Sequence, residues 1–595
     1  MSADRLFIYL VKPTRYDDDG YPLQWWRSVV PANSLACVTA LVKDSLDRGV
    51  LGDTPHRLTV IDEIHTRVRP ERIAREAAAA KAAAIVFLVG VQTNQYPRSL
   101  DLARRFRAAG VQVCIGGFHV SGCIAMLKAM PPEMQDAQAL GVSIFAGEAE
   151  DRRMDEVLID ALSGTLKPIY DHVKDTPNLA GEPTPKLDPD LIAKTLFQTT
   201  SFDLGRGCPF ECSFCTIINV QGRKSRFRTV EDLEKIIRDN AAHGITHFFV
   251  TDDNFARNKN WRAFLDTMIR LRRDEGLNLE LMMQVDTLAH RIDGFVDACY
   301  EAGLVQLFVG LENINSDNLA LVKKRQNKVE DYREMFLAWK KHPIIIVCGY
   351  IVGFPNDTKQ SIKHDIDIIK SELPIDILYL NYLTPLPGSE DHRTLLNAGV
   401  WMDPDMNRYD LNHRVTHHPL MSDEDWESAY RDAHASFYSF DHMKTVIRRM
   451  YALGSNKKRA TVSLQTAYRE MVRLERVASL EGGVLRMKDR KERRPGRPIE
   501  NPLAFYARYG WHLTSSTIGQ AATFFRLYRF ALKTMRDPRN IDYSDAAIMP
   551  IDSGLASLRM LEESRGFELV QARQARAALI AGKEPARAAA ETRVN

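Results

Sequence analysis

The sequence predicts an α/β protein in three parts: a doubly wound parallel sheet of the Rossmann or flavodoxin type, then a partial (β/α)6 barrel, then an all-helical C-terminal region. The first two parts are predicted because β-branched apolar runs alternate with helical patterns up to about residue 165, and again after about residue 198. The third is predicted because the strand signal fades beyond about Trp426. We therefore expect domains at 1–165, 198–425 and 426–595, with a linker at 166–197.

The first domain contains apolar runs that predict strands buried on both faces, separated by helical segments. The runs are RLFIYLVKP, HRLTVIDEI, IVFLVGVQ, VQVCIGGFH and GVSIFAGEAE. Strands of this kind return through helices and form a parallel sheet, whose ligands bind beyond the carboxyl ends of the strands. The turn with Gly116, Gly117 and His119 and the turn with Glu148 are therefore candidate ligand-binding turns. The alternative is that the two glycines only permit a tight strand-to-helix turn.

The second domain begins after KPIYDHVKDTPNLAGEPTPKLDPD, a stretch whose composition is typical of an interdomain connection. Its strand runs start with FDLGRGC and end with ILYLNYLTPLPG, and about six strand-helix units lie between residues 198 and 425. This repeat predicts a barrel or partial barrel with its chemistry at the C-terminal ends of the strands.

Long helical segments follow Trp426, among them the stretch from Ser516 to Arg536. That stretch mixes aromatic and basic side chains; a core helix or a pocket wall is the favoured interpretation, and a helix at a membrane surface is the alternative. The run RMKDRKERRPGRP is densely basic. A solvated loop explains it most simply, and an anionic substrate, a membrane surface or a partner are the alternatives.

Charge and composition exclude several classes of protein. The 595 residues include 80 Lys and Arg against 77 Asp and Glu, and the formal charge of +3 gives no reason to expect nucleic-acid binding. No apolar stretch approaches the length of a membrane span, and the N-terminal apolar run is far shorter than a secretory core, so we expect a cytoplasmic protein. We find no Ser-His-Asp set, P-loop or zinc protease motif.

Three of the eight cysteines fall within GRGCPFECSFCTI, where Cys208, Cys212 and Cys215 follow the spacing C-x3-C-x2-C. Thiolates bind zinc or an iron–sulfur cluster. A structural zinc site has four protein ligands, and no fourth Cys or His lies at finger-like spacing nearby. An iron–sulfur cluster is therefore favoured, and three thiolates on a four-iron cube leave one iron open to a small molecule. We interpret the other five cysteines as buried thiols.

This cysteine spacing, with the aromatic Phe214 before the last cysteine, resembles the motif of the radical S-adenosylmethionine (SAM) superfamily. The resemblance implies that Cys208, Cys212 and Cys215 hold a [4Fe–4S] cluster and that SAM binds the open iron through its amine and carboxylate. It also implies reductive cleavage of SAM to methionine and a 5′-deoxyadenosyl radical, with electrons from a flavodoxin- or ferredoxin-type donor. The resemblance covers about residues 198 to 425.

Residues at later strand ends also match the family, and the resemblance implies that they bind SAM. Asp252 and Asp253 in HFFVTDDNF match polar groups that hold the SAM amine. Gln284 and Asp286 in LMMQVDT, and Glu312 in FVGLEN, match groups for the ribose and the methionyl part. The alternative for these positions is a cap or a salt bridge on a barrel loop.

The segment GYIVGFPNDT resembles the family's G-x-I-x-G strand through Gly349, Ile351 and Gly353, whose backbone is then expected beside the adenine. Family members often carry Glu at the position of Asp357.

The order of the domains resembles the cobalamin-binding subclass of this superfamily. In that subclass cobalamin lies between the two domains, and many members transfer a methyl group from methylcobalamin to a substrate carbon. The resemblance implies that Gly116, Gly117, His119 and Glu148 contact this cofactor. The D-x-H-x-x-G motif, which supplies a lower axial histidine elsewhere, is absent from the chain.

We therefore predict a radical SAM enzyme that activates a substrate C–H bond, with cobalamin-dependent C-methyl transfer as the leading reaction. The alternatives are a cobalamin-independent oxidoreductase or cyclase, and a metal-stabilised binding module without turnover. A small-molecule or lipid-like substrate is expected and nucleic acid is not. The sequence assigns no catalytic side chain.

Overall fold

The computed structural model of the chain describes residues 4–455, 457–550 and 559–562, so the end of the predicted C-terminal region, residues 563–595, lies outside the described residues. The strands are β1 (Leu6–Lys12), β2 (Gln24–Ser28), β3 (His56–Asp62), β4 (Ala83–Leu88), β5 (Gln112–Gly116), β6 (Ser143–Ala146), β7 (Ile169–Asp171), β8 (Thr199–Phe202), β9 (Gly205–Arg206), β10 (Arg226–Phe227), β11 (His247–Val250), β12 (Glu280–Val285), β13 (Leu304–Glu312), β14 (Ile345–Val352), β15 (Ile377–Tyr382) and β16 (Gly483–Met487). The helices are α1 (Asn33–Asp47), α2 (Pro70–Ala79), α3 (Tyr96–Ala108), α4 (Phe118–Met126), α5 (Pro132–Ala139), α6 (Arg153–Ser163), α7 (Pro189–Ile192), α8 (Ile217–Val220), α9 (Val230–Ala241), α10 (Trp261–Asp274), α11 (Phe295–Glu301), α12 (Ser316–Leu321), α13 (Tyr332–Lys340), α14 (Lys359–Glu372), α15 (Glu390–Asn397), α16 (Asp423–Phe437), α17 (Phe440–Ala452), α18 (Lys458–Glu470), α19 (Pro502–Arg536) and α20 (Arg559–Glu562).

The first sheet has six parallel strands in the order β3-β1-β4-β5-β6-β7. Helices α1 and α6 pack on one face, where Leu35 and Leu158 join one apolar cluster. Helices α2 to α5 pack on the other, where Ile73 and Met134 join a second cluster. The predicted doubly wound sheet is confirmed. The strand order reverses between β1 and β4, and the loops after these strands diverge to leave a crevice at the carboxyl edge of the sheet.

Strand β7 extends this sheet into residues that the sequence predicts to be a linker. The segment Ile169–Asp171 pairs in parallel with β6, and the buried Tyr170 donates its hydroxyl hydrogen to Asp160 at 2.7 Å. Three residues carry too little periodicity to predict a strand. The free edge of β6, rather than local sequence, gives this segment its conformation.

The second sheet has six parallel strands in sequence order, β8-β11-β12-β13-β14-β15. Apolar residues of the surrounding helices, such as Leu233 and Phe336, pack against its strands in one large cluster. Within the described chain the end strands β8 and β15 are not paired with each other, so the sheet is open. The predicted partial barrel is confirmed.

Helices α16 to α19 make up most of the described C-terminal region, and α19 alone has 35 residues. The predicted helical character is confirmed with one exception, because β16 pairs antiparallel with β2 of the N-terminal part. No helix in the described part of the chain combines the length and the apolar content needed to cross a membrane.

Candidate active site

The three cysteines of the C-x3-C-x2-C motif lie in one loop, between β9 and α8. Backbone hydrogen bonds fix this loop to distant parts of the barrel. Cys208 N–H donates to Gly222 O at 3.3 Å, and Ser213 N–H donates to Val322 O at 3.0 Å. Asp391 N–H donates to Ser213 O at 3.2 Å. The loop is therefore held at the end of the first barrel strand independently of any metal.

The three thiols are withdrawn from solvent to different degrees: Cys212 is buried, and Cys208 and Cys215 are half-buried. Burial raises the pKa of Cys208 and raises the pKa of Cys215 to about 12, so a metal must displace protons to bind both. The three Sγ atoms do not all lie within 4.8 Å of one another, whereas thiolates on one tetrahedral zinc lie about 3.8 Å apart.

A half-buried ammonium that the sequence does not single out lies beside the cysteines. Lys324 Nζ donates to Glu312 Oε1 at 2.7 Å and lies 5.7 Å from the centre of the Phe214 ring. Burial opposes the charge on Lys324, but Glu312 and the nearby Cys212 and Cys215 outweigh burial and raise its pKa. Phe214 and Glu312, both predicted from the sequence, are thus brought together with the cysteine loop around Lys324.

The two aspartates after β11 point in different directions. Asp252 is buried and accepts hydrogen bonds from Leu204 N–H at 2.6 Å and Asn258 Nδ2 at 3.3 Å, so it fixes the chain before the cysteine loop. Asp253 accepts from Gly207 N–H at 3.3 Å and borders the interdomain cavity described below. Burial raises the pKa of each aspartate to about 7. Of the two, Asp253 is the one that a ligand can reach.

The residues at the end of β12 also differ in their surroundings. Asp286 is buried and accepts from Arg257 Nε at 2.5 Å and Nη2 at 2.8 Å, and from Asn254 Nδ2 at 2.8 Å. The guanidinium of Arg257 in turn lies 5.7 Å from the ring centre of Phe210 in the cysteine loop. Asp286 therefore supports that loop through Arg257. Gln284 is half-buried on β12, at the register of Phe308 on β13.

Gly349 and Ile351 on β14 are brought to the same place as Glu312 and Phe214. A side chain at Gly349 would meet Phe308 Cζ at 3.1 Å and Glu312 Oε2 at 3.7 Å. Ile351 belongs to a small apolar cluster against which Phe214 packs. The absence of a side chain at Gly349 keeps the space beside Glu312 open.

A turn and the packing of α16 both require glycine at position 353. Its φ of 101° lies in the left-handed region, and a Cβ there would lie 2.3 Å from the Trp426 ring. The carboxylate of Asp357 accepts from the N–H groups of Gly353 and Phe354, both at 2.9 Å, and from Asn318 Nδ2 at 2.7 Å. These contacts explain both residues structurally, and the expected approach of Gly353 to adenine stays a prediction.

A cavity of about 470 Å³ opens between the two sheets. The carboxyl ends of β1, β4, β5 and β6 line it on one side, and residues that flank the cysteine loop line it on the other. The predicted residues that line it are Gly116, Gly117, Glu148 and Asp253. Gly117 has a φ of 145°, and a Cβ there would lie 2.1 Å from the backbone nitrogen of Val91. Glycine is therefore required where the loops after β4 and β5 meet.

His119, predicted as a cofactor contact, does not line this cavity. Helix α4 presents Phe118 and Ser121 to the cavity, whereas His119 and Cys123, four positions apart, lie on another face of the helix. There His119 is buried. A ring nitrogen of His119, the Sγ atom of Cys123 and a carboxylate oxygen of Glu133 lie within 4.8 Å of one another. Burial lowers the pKa of His119 to about 3, so its ring is neutral.

Glu148 lines the cavity, but two arginines from the barrel side already bind its carboxylate. Arg206 Nη1 donates to Oε2 at 2.9 Å and Arg226 Nη2 donates to Oε1 at 2.5 Å. Arg206 also pairs with Glu150 at 2.7 Å and with Asp203 at 3.1 Å. Glu148 therefore joins the two domains at the cavity wall. The sequence gives no signal for either arginine, because they lie 58 and 78 positions from Glu148.

A larger cavity of about 750 Å³ lies elsewhere, beside α16. Several arginines line it, and these are Arg408, Arg414, Arg431, Arg469, Arg473 and Arg476. None of the predicted site residues borders it. The candidate site is therefore the cavity between the sheets, next to the cysteine loop.

Residues 203–369 match the family model described as the Radical SAM superfamily. The bacteriochlorophyllide d C-12(1)-methyltransferase of Chlorobaculum tepidum is 26% identical to the chain over 344 residues, which are 55% of this chain and 69% of that protein. The hopanoid C-2 methylase of Rhodopseudomonas palustris is 24% identical over 345 residues, 57% of this chain and 62% of that protein.

Two solved structures share the fold over most of the chain. The radical S-adenosylmethionine methyltransferase TsrM from Kitasatospora setae, with tryptophan substrate and a SAM analogue bound, aligns with a TM-score of 0.52 and 15% identity, covering 90% of this chain and 100% of that one. The cobalamin-dependent S-adenosylmethionine radical enzyme OxsB, with aqua-cobalamin and S-adenosylmethionine bound, aligns with a TM-score of 0.51 and 13% identity, covering 91% of this chain and 81% of that one.

Proposed function

The chain belongs to the radical SAM superfamily through residues 203–369, and from this membership we propose that it is a cobalamin-dependent C-methyltransferase. One observation carries the proposal: the loop with the three cysteines is flanked by residues that line a cavity shared with the carboxyl edge of a doubly wound sheet. Arg206 precedes the cysteines and Val220 and Gln221 follow them, and all three line that cavity. Chemistry at the cysteines and a cofactor on the sheet would therefore share one space.

The cysteine loop fits a [4Fe–4S] cluster held by Cys208, Cys212 and Cys215. Gln326 Nε2 lies 3.5 Å from Cys212 Sγ, at hydrogen-bonding distance for a thiolate acceptor. The ammonium of Lys324 supplies a positive charge beside a group of negative thiolates. Both features support a site whose ligands are ionised when the metal is bound.

SAM fits the space next to this loop. We assign the SAM amine to Asp253, because its carboxylate faces the cavity and can accept hydrogen bonds from an ammonium. Lys324 engages only Oε1 of Glu312, and Oε2 faces the empty Cβ position of Gly349, so Glu312 is assigned with Gln284 to the remainder of SAM. Asp252 and Asp286 are assigned to positioning, since their carboxylates are already engaged by neighbouring donors.

The lining of the cavity at the edge of the first sheet suits cobalamin. Gly116 and Gly117 supply a wall without side chains, and polar groups of Ser34 and Gln92 border the same space. No histidine lines the cavity within the described chain, which agrees with the absence of a D-x-H-x-x-G motif. We therefore propose binding without a histidine ligand from the protein.

When bound, the cluster with SAM supplies a 5′-deoxyadenosyl radical and cobalamin supplies a methyl group. The chain positions these groups and keeps water from them. Val38, Leu41 and Met154 form an apolar part of the cavity wall, which limits quenching of a reactive species by solvent. The ion pairs of Glu148 with Arg206 and Arg226 hold the two halves of the cavity together.

We infer a small-molecule or lipid-like substrate, since the relatives named above act on a bacteriochlorophyllide and on hopanoids. A flavodoxin- or ferredoxin-type protein is the proposed electron donor. The free cysteines of the described chain suit a reducing compartment, which supports a cytoplasmic enzyme.

The cluster assignment is tested with Cys212→Ala. After anaerobic reconstitution, this variant should bind less iron and sulfide than the natural chain and form at least about tenfold less 5′-deoxyadenosine from SAM with dithionite. Cys299→Ala, which removes a buried thiol of α11 outside the motif, is the matched control. Full iron content and SAM cleavage in Cys212→Ala would show that the motif does not hold the cluster.

The cobalamin assignment is tested with hydroxocobalamin and absorption spectroscopy. The natural chain should retain a corrinoid spectrum after gel filtration, and Val38→Trp, which fills the cavity, should lose it while keeping its iron. Ile159→Trp places the same side chain on an exposed part of α6 and is the control.

The same assays separate the alternatives. Formation of 5′-deoxyadenosine without bound corrinoid would favour a cobalamin-independent oxidoreductase or cyclase. Zinc instead of iron, with no 5′-deoxyadenosine, would favour a metal-stabilised binding module.

A further inference from the structure

Helix α19 exposes a stripe of large apolar side chains. Leu503 is 83% exposed, Trp511 74%, Ile518 63% and Phe525 61%. A soluble helix normally turns such residues inward and leaves charged ones outside. The part of the molecule that the structure describes leaves these four side chains uncovered.

The stripe is regular and lies opposite the packed face of the helix. Its four residues follow one another at steps of eight, seven and seven positions, so they stay on one side of an α-helix. The buried residues of α19 lie on the other side, and they are Phe505, Ser516, Thr523, Leu527, Ala531 and Thr534. The sequence prediction of a core helix therefore describes only the inner face, and the outer face has the composition of an interfacial helix.

The charges of α19 have one sign. Pro502–Arg536 contains no Asp or Glu, and its cations are Arg508, Arg526, Arg529, Lys533 and Arg536. Arg508 pairs with Glu500, and Arg526 lies over the Phe440 ring. Arg529, Lys533 and Arg536 are exposed and follow Phe525 toward the end of the helix, where the charge of Lys533 helps to lower the pKa of Asp537, the residue after the helix.

We propose that the outer face of α19 docks on an anionic lipid surface, with its apolar stripe in the interface and its C-terminal cations at the headgroups. A helix of 35 residues is about 52 Å long, and the stripe occupies its first two thirds. Apolar burial plus attraction to anionic lipid is the combination that binds such helices.

Charge favours lipid over a second copy of the chain. Two α19 helices facing each other in parallel would bring cations against cations. In an antiparallel pair the C-terminal cations of each helix would lie against the apolar N-terminal part of the other, again with no acidic residue on either helix to compensate. An anionic bilayer complements the same surface. The proposal does not depend on the proposed catalysis, because α19 contributes no residue to the cavity between the sheets.

Sedimentation with vesicles tests the docking. The full chain should sediment with vesicles of phosphatidylglycerol and phosphatidylcholine, and much less with phosphatidylcholine alone. The double variant Trp511→Ser, Phe525→Ser should bind the anionic vesicles at least about tenfold more weakly, since both side chains enter the interface. Leu396→Ser with Ile159→Ser, two exposed apolar residues on other helices, should bind like the natural chain.

The electrostatic part is tested with Arg529→Glu, Lys533→Glu. We expect about fivefold weaker binding for each cation lost, and loss of binding by the natural chain as salt rises. Lys235→Glu, Arg273→Glu changes the net charge equally on barrel helices and should leave binding unchanged.

Three results would overturn the proposal. One is a natural chain that stays in the supernatant with anionic vesicles. Another is equal binding by the stripe and control variants. The third is a dimer of the natural chain, without lipid, that Trp511→Ser, Phe525→Ser dissociates, since a second copy would then cover the stripe. SAM cleavage by the stripe variant should equal that of the natural chain, so a failure of docking is distinct from a failure of the proposed function.

Discussion

Lys323 and Lys324 follow each other in the sequence, but their side chains lie in different surroundings. Lys323 pairs with Glu390 at the surface with 42% of its side chain exposed, whereas only 13% of the Lys324 side chain is exposed. Glu312, the partner of Lys324, has a φ of 63°, a conformation that costs a non-glycine residue about 1 kcal/mol or more. The inner ion pair therefore holds a strained backbone position beside the cysteine loop.

Replacement of Lys324 should destabilise the fold. Lys324→Met is expected to lower the free energy of unfolding by about 2 to 4 kcal/mol, because it leaves the partly buried carboxyl group of Glu312 without its ion-pair partner. Adding Glu312→Gln should restore part of the loss. Chemical denaturation measures each variant, and Lys323→Met, expected to cost less than about 1 kcal/mol, is the matched control. Equal losses for the two lysines would contradict this view.

The same variant should change the reduction potential of the reconstituted cluster. A positive charge near thiolate-bound iron stabilises the more negative, reduced state. Lys324→Met should therefore shift the midpoint potential to more negative values, and Lys323→Met should not. A redox titration followed by electron paramagnetic resonance measures the midpoint potential of each variant. A midpoint potential that is unchanged in Lys324→Met would show that the ammonium does not act on the cluster.

Single residues could be predicted from the sequence only where local spacing carries the signal. The cysteines follow a fixed spacing, and Phe214 sits next to the last of them. Lys324 and Arg206 depend on partners that only the fold brings near, so no local pattern marks them. His119 follows a glycine turn as a ligand-binding residue would, yet the rotation of α4 turns it away from the cavity.

At the scale of elements, the antiparallel strands β2 and β16 lie so close together that one position on β16 must be glycine. Gly483 on β16 lies opposite Ser28 on β2, and a Cβ there would lie 2.4 Å from Arg27 O and from Trp25 Cγ. Gly510 in the exposed part of α19 has nothing within 4 Å of the same position. The two glycines therefore differ in what an added methyl group would meet.

One substitution should act with opposite sign at these two glycines. Gly483→Ala is expected to destabilise the protein by about 1 to 3 kcal/mol, because the backbone of β2 must move. Gly510→Ala should stabilise α19 by about 0.5 to 1 kcal/mol, since alanine loses less conformational entropy in a helix. Thermal unfolding measures the stability of the two variants. A stability change of the same sign at both positions would contradict the view that the surroundings of the added methyl group decide its effect.

Long elements with clear periodicity were predictable, and short ones were not. The strands of both parallel sheets carry continuous apolar runs, so their order along the chain was accessible. β2, β7 and β16 are short, and each forms where another strand offers hydrogen bonds. The sequence left two interpretations of α19 open for a related reason, since aromatic residues on a helix do not reveal which side the rest of the fold will cover.

At the scale of the whole molecule, the N-terminal domain, the barrel and the C-terminal region meet at the buried Arg15. Its guanidinium pairs with Asp410 at 3.1 Å and with Glu481 at 2.7 Å. The order of the three parts was predictable from the strand and helix patterns along the chain. Their docking was not, because it rests on ion pairs between residues hundreds of positions apart.

His413 adds a titratable group to this junction, and it should make docking depend on pH. Its Nε2 lies 3.3 Å from Asp18 of the N-terminal part, and its Nδ1 lies 3.0 Å from Asp410. Burial opposes the charge on the ring, but the two aspartates outweigh burial and raise the pKa of His413 to about 9. The charged ring therefore links the two domains at neutral pH.

Because the folded pKa of His413 exceeds the unfolded value of about 6.5, the stability it contributes is complete below about pH 6.5 and is lost as the pH rises through about 9. This contribution is about 2 to 3 kcal/mol, allowing for the partial exposure of the ring. His413→Gln should therefore unfold at lower denaturant than the natural chain near pH 6, and the two midpoints should converge above about pH 9. His417→Gln, at an exposed histidine on the same segment, is the control and should leave the midpoint nearly unchanged throughout. A gap between His413→Gln and the natural chain that stays constant from pH 6 to beyond pH 9 would show that the ring acts through packing rather than through its charge.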